Sequence, residues 1–131
     1  MIKYGYTIIY VSDVKLALGF YKNAFSLDCR FLHESGDYGE LETGNTVLAF
    51  ASYELGKSNL PNGYIAAGES KLPLGIEIAL VTEEVEKAHE LAISNGATEI
   101  KSPENKPWGQ LVSYIRCPSG ILIELCTPIN A

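Results

Sequence analysis

The chain moves between two hydrophobic periods, and it makes the same journey twice. Residues 6–11, Tyr-Thr-Ile-Ile-Tyr-Val, are β-branched and aromatic, which predicts a strand. Ser12 and Asp13 follow as a helix N-cap pair, and Val14, Ala17, Leu18, Tyr21 and Phe25 then recur at helical spacing. Short strand-like stretches come next at 29–33, 38–42 and 46–51, with Gly36-Asp37 and Gly44-Asn45 as turns. Residues 53–74 break the pattern. Gly56, Pro61-Asn62-Gly63, Gly68 and Pro73 sit there among polar residues, and the stretch reads as a connecting loop. The order then returns. A strand is predicted at 75–81, and Thr82 caps a helix whose apolar face carries Val85, Ala88, Leu91 and Ala92. Asn95-Gly96 ends that helix, and strands follow at 97–101, 111–116 and 121–126.

The chain therefore reads βαβββ, loop, βαβββ, an internal repeat. Ile8-Ile9-Tyr10-Val11-Ser12 matches Ile78-Ala79-Leu80-Val81-Thr82, and Val47-Leu48-Ala49-Phe50 matches Leu122-Ile123-Glu124-Leu125. The predicted fold is α+β: two βαβββ modules forming one curved mixed sheet around a cleft, with helices on the outer face. Module one covers about 1–52, the connecting loop about 53–74 and module two about 75–128, all within a single domain of 1–131. Strand alternation assigns the faces. Tyr6, Ile8 and Tyr10 share one face with Val47, Ala49, Ala51, Glu77, Ala79, Leu122, Glu124 and Cys126. Ile76, Ile78, Leu80, Ile121, Ile123 and Leu125 make a uniformly apolar set, expected to be core under a helix.

Charge and composition narrow the function. A formal net charge of −6 disfavours nucleic acid, which needs positive surface to displace counterions. No apolar run approaches the roughly 20 residues of a membrane helix, and the N-terminus lacks the pattern of a secretory signal. Cys29, Cys117 and Cys126 are odd in number and widely spaced, which predicts free thiols and a cytoplasmic location.

Several motifs carry a family resemblance. Val11-Ser12-Asp13-Val14, leading to Phe20-Tyr21-Lys22-Asn23-Ala24-Phe25, resembles the first strand–helix unit of the vicinal-oxygen-chelate superfamily. This is the group of glyoxalases, bleomycin-resistance proteins and extradiol dioxygenases. Lys106-Pro107-Trp108-Gly109-Gln110 and Cys117-Pro118-Ser119-Gly120-Ile121-Leu122-Ile123-Glu124-Leu125 resemble its C-terminal signature. Cys117 stands where the family usually has Asp. The resemblance implies metal ligands at four strand positions, which fall here on Tyr6, Ala49, Glu77 and Glu124. Only Glu124 matches the usual residue. Two carboxylates, a phenol and a methyl group make a poor zinc, nickel or iron site. They could hold a hard cation such as Mg²⁺ or Ca²⁺ loosely. Neither histidine lies at a ligand position: His33 falls in a turn, and His89 lies in a helix at the edge of its packed face.

Two functions follow as expectations. The first is metal-independent binding of a small organic molecule, a cationic or aromatic antibiotic for example, without a cofactor. The resemblance implies a homodimer. The ligand cleft is assigned to Tyr6, Tyr10, Ala49, Glu77, Trp108, Tyr114 and Glu124. Tyr38 and Tyr64 could add aromatic wall, and Trp108, on a Pro/Gly-flanked loop, can stack on a flat or cationic ligand. The alternative is a lyase, isomerase or dioxygenase of the glyoxalase type that uses a divalent cation at a diverged site. Glu77 and Glu124 are the catalytic candidates and the weak metal candidates. Carboxylates that face each other raise one another's pKa, so one could serve as general acid or base.

Overall fold

The structure, a computed structural model, describes residues 1–129. It divides into two compact units, 1–69 and 70–131. Each contains one βαβββ module.

In the first unit, β1 (Tyr6–Val11) leads into α1 (Val14–Phe25), followed by β2 (Cys29–Leu32), β3 (Tyr38–Leu41) and β4 (Val47–Ser52). The sheet order is β1-β4-β3-β2, with β1 parallel to β4 and the other pairs antiparallel. Asp13 caps α1 as expected: its carboxylate accepts from the Leu16 N–H at 3.0 Å. The helix ends on Ser26, a non-glycine residue in the left-handed region with φ 57°. Val14, Leu18, Tyr21 and Phe50 fill the core between α1 and the sheet. Gly39 is required there, because a Cβ would stand 2.7 Å from Leu18 Cδ1.

The stretch expected as a plain loop contains α2 (Tyr53–Asn59) and a 3₁₀ turn, Ala67–Glu69. Capping chemistry explains the helix. Ser52 Oγ accepts from the Leu55 N–H at 3.1 Å and donates to the Asp37 carboxylate at 2.8 Å. Gly56, read from sequence as a breaker, sits inside the helix under a tyrosine ring.

The second unit repeats the plan with β5 (Glu77–Val81), α3 (Val85–Ser94), β6 (Thr98–Asn105), β7 (Leu111–Arg116) and β8 (Leu122–Cys126). Its order is β5-β8-β7-β6, again with one parallel pair. The protein thus has two four-stranded mixed sheets. Arg116 ties the start of this unit to the β7–β8 turn by donating to the Ser70 and Gly120 carbonyls at 2.9 and 3.1 Å.

Three expectations need correcting. Thr82 does not cap α3: the helix starts at Val85 after Glu84, with no side-chain cap, and the Thr82 hydroxyl accepts from the Glu84 N–H in the turn before it. Ile76 was assigned to the helix-covered core but is 72% exposed, because it precedes β5 and does not lie under α3. His89 was placed at the edge of the packed face of its helix but is buried. One ring nitrogen is hydrogen-bonded to Ser113 Oγ at 2.9 Å, and the other contacts Glu99 at 2.8 Å. Ser113 is fully buried, so His89 satisfies a hydroxyl that no water reaches. His89→Leu is expected to cost about 2–3 kcal/mol by stranding Ser113. Glu99 is half exposed, and Glu99→Gln should cost less than about 1 kcal/mol. Urea unfolding of both variants measures the difference, and equal losses would refute the role given to His89.

Candidate functional site

Alternation along β8 decides what the open face of the second sheet carries. Ile123 and Leu125 are buried, and α3 packs on β6, β7 and β8. Leu122, Glu124 and Cys126 therefore take the other face. Across the antiparallel pair Tyr114 stands opposite Glu124, and across the parallel pair Ala79 does. The Tyr114 hydroxyl donates to Glu124 Oε1 at 3.1 Å. Glu77, the first residue of β5, lies near enough to the same carboxylate for the two to influence each other's ionisation.

These contacts make one interacting group of side chains. Burial, the interaction with Glu124 and that residue's charge, in that order, hold the Glu77 carboxyl above the usual glutamate range. Burial and the Glu124 carboxylate also raise the Tyr114 phenol, and they push the Cys126 thiol up to about 11. Tyr114 and Cys126 are therefore neutral donors around the pair at physiological pH.

The open face of the first sheet has a different polar centre. Ala49, a candidate from sequence, is fully buried and brings no donor atom. Its partner on β3 is Glu40, which accepts from the Tyr38 hydroxyl at 2.7 Å and lies 3.8 Å from Arg30 Nε. Burial and Glu40 hold the Tyr38 phenol well above the usual tyrosine range, and the Tyr6 phenol adds to this. Tyr6 is thus near Tyr38, whereas Tyr10 packs against the Tyr64 ring with centroids 4.8 Å apart. Sequence reasoning missed Glu40 and Arg30. The signal was available: Gly39 and Leu41 face the core, so Glu40 had to face the other way.

Trp108 is 64% exposed on the β6–β7 turn. Its indole N–H donates to Gln110 Oε1, and Gln110 in turn donates to the Thr127 carbonyl at 2.7 Å. No hydrogen bond or ring contact joins Trp108 to the Glu77–Glu124 pair among the described residues. His33 lies in an exposed turn hydrogen-bonded to Ser35.

The sequence profile of the Glyoxalase/Bleomycin resistance protein/Dioxygenase superfamily matches residues 3–125. The chain belongs to this superfamily. Among solved structures, a glyoxalase-related enzyme from Fulvimarina pelagi superposes with a TM-score of 0.81 at 16% identity, covering 98% of this chain and 89% of the other. A hypothetical protein from S. aureus gives 0.80 at 15% identity, covering 98% and 95%. A glyoxalase/bleomycin resistance protein/dioxygenase family enzyme from Burkholderia phytofirmans PsJN gives 0.71 at 22% identity, covering 94% and 96%. At these identities the likeness concerns the fold. No curated protein matches the chain.

The superfamily's usual metal does not fit these residues. Of the four strand positions, Ala49 has no ligand atom and no position has an imidazole. Among the described residues, no three His, Cys, Asp or Glu side chains are grouped so as to hold an ion.

The raised Glu77 proton has a consequence for stability. The folded chain binds this proton more tightly than the unfolded chain does. Its contribution is fully present below the unfolded glutamate range and is lost as pH rises toward the folded value. Glu77→Gln cannot ionise, so it escapes that loss. The variant should gain stability relative to the parent on going from about pH 4 to about pH 8. Thermal melts across that range check this, and a constant difference would refute the raised Glu77 carboxyl.

Proposed function

We propose that this superfamily member binds a small organic molecule, cationic or aromatic, without a metal, on the sheet face that carries Glu77 and Glu124. The observation behind this reading is the Glu124 carboxylate on an open sheet face, accepting from Tyr114, with Glu77 and Cys126 beside it. Such a group offers both a donor and an acceptor beside the apolar Leu122 and Ala79. A ligand ammonium can replace the Glu77 proton, so that a cation sits between two carboxylates. The negative net charge favours the approach of such a ligand. The missing imidazoles argue against the diverged-metal lyase, isomerase or dioxygenase.

A broad screen of cationic and aromatic drugs and metabolites, followed by calorimetry, tests the proposal. A cationic ligand is expected to release a proton on binding and to lose about tenfold in affinity in Glu124→Gln. No saturable binding of any compound would overturn the reading. So would about one tightly held transition metal per chain, found by elemental analysis of protein purified without chelator.

Pairing of two copies and a cytoplasmic location belong to the same proposal. The exposed apolar side chains of Tyr6 and Ile8 on edge strand β1, and of Val81 on edge strand β5, support the first. The three free cysteines support the second. Sedimentation equilibrium should give twice the chain mass, and a monomer at all concentrations would refute the dimer.

A further inference from the structure

A second cluster lies in the first unit and includes Tyr10 and Tyr64, two of the tyrosines that the sequence assigned to a ligand cleft. Tyr10 on β1, Tyr53 at the start of α2 and Tyr64 after it come together where α2 and the 3₁₀ turn pack on β1. All three are half-buried. The Tyr64 ring leans on Tyr10, and its hydroxyl reaches the Tyr53 carbonyl at 3.4 Å. Desolvation, Tyr10, Glu69 and Glu54 all raise the Tyr64 phenol. Desolvation, Glu69 and Tyr64 raise the Tyr53 phenol. Glu69 acts on both phenols and Glu54 on that of Tyr64, so carboxylate charge lies near the rings.

The arrangement is held from below. Ser52 and Asp37 fix the first turn of α2 and so place Tyr53. Gly56 makes room for the Tyr64 ring: a Cβ there would stand 2.7–2.9 Å from its hydroxyl and ring carbons. Ala66 and Ala67 are buried and anchor the turn that carries Glu69. Neither Glu54 nor Glu69 has an ion-pair partner among the described residues. The Tyr10 and Tyr53 hydroxyls have no hydrogen-bond partner among the described residues either.

We propose that Tyr10, Tyr53 and Tyr64, with Glu69 and Glu54 beside them, form a binding site for a small alkylammonium compound, quaternary or tertiary at nitrogen. Aromatic faces carry negative potential and attract such a cation by the cation–π effect. A methylated ammonium sheds water more easily than a primary one and packs its methyl groups against the rings. The flanking carboxylates neutralise its charge without needing direct contact. Phenols with raised pKa stay neutral and keep their ring faces intact across the physiological range.

The site does not depend on the reading given for Glu77 and Glu124, which belong to the other unit. NMR titration of the full chain with choline tests it. The control is 3,3-dimethylbutan-1-ol, which has the same shape without the charge. Choline should titrate saturably and shift the Tyr10, Tyr53 and Tyr64 resonances, and the alcohol should bind about tenfold more weakly. Gly56→Ala pushes the Tyr64 ring aside while favouring the helix, and it should weaken choline binding. Glu69→Gln, on an exposed residue, should weaken it too, and Glu90→Gln, on an exposed residue of α3, should leave it unchanged. Equal binding of the alcohol, no saturation by choline, or binding that survives both Gly56→Ala and Glu69→Gln would overturn the proposal. Phosphatidylcholine vesicles separate a lipid headgroup from a free ligand. Co-sedimentation with them, in the absence of free-choline binding, would also overturn the assignment.

Discussion

The burial of Ile123 and Leu125 is the constraint on which the second unit depends. β8 is hydrogen-bonded on both edges, by β5 and β7, and α3 packs on one of its faces. A strand in that position has no freedom of register, because a slip of one residue would drive Glu124 and Cys126 under the helix. Hydrophobic burial therefore places the carboxylate without any interaction of its own. Once there, Glu124 must find donors, since an unpaired charge beside apolar neighbours is costly. Tyr114, directly opposite on β7, supplies one.

The same reasoning explains what could be read from the sequence. The βαβββ order, the Asp13 cap and the facing of Glu124 rest on local periodicity and were legible. α2 was not legible. Its short sequence holds Gly56, and its stability comes from the Ser52–Asp37 contact across 15 residues of chain. His89 was misplaced for a similar reason. Helical spacing put it at the edge of the packed face, but its partners Ser113 and Glu99 come from strands whose pairing cannot be seen in one segment. Glu40 escaped notice because the resemblance drew attention to four positions, none of them on β3.

Comparing the two modules shows how far one backbone frame leaves the chemistry open. By register, Ile8 and Glu40 flank Ala49, just as Ala79 and Tyr114 flank Glu124. Each open face holds one glutamate that accepts from a tyrosine, Tyr38 to Glu40 and Tyr114 to Glu124. Yet the glutamate sits on the third strand of one module and on the fourth of the other. The surroundings then separate the two. Arg30 stands beside Glu40, whereas Glu77 brings a second carboxyl to Glu124.

That difference bears directly on metal chemistry. A transition-metal site needs several soft or imidazole donors aimed at one point. The first face spends its carboxylate on a phenol and a guanidinium. The second sets its carboxylate between a phenol and a second carboxyl. In each, a tyrosine hydroxyl already donates to one carboxylate oxygen, Tyr38 to Glu40 and Tyr114 to Glu124. What remains available is recognition of cations and hydrogen-bond donors. Membership of the superfamily supplies the frame, and the substituents at these few strand positions decide what the frame can do.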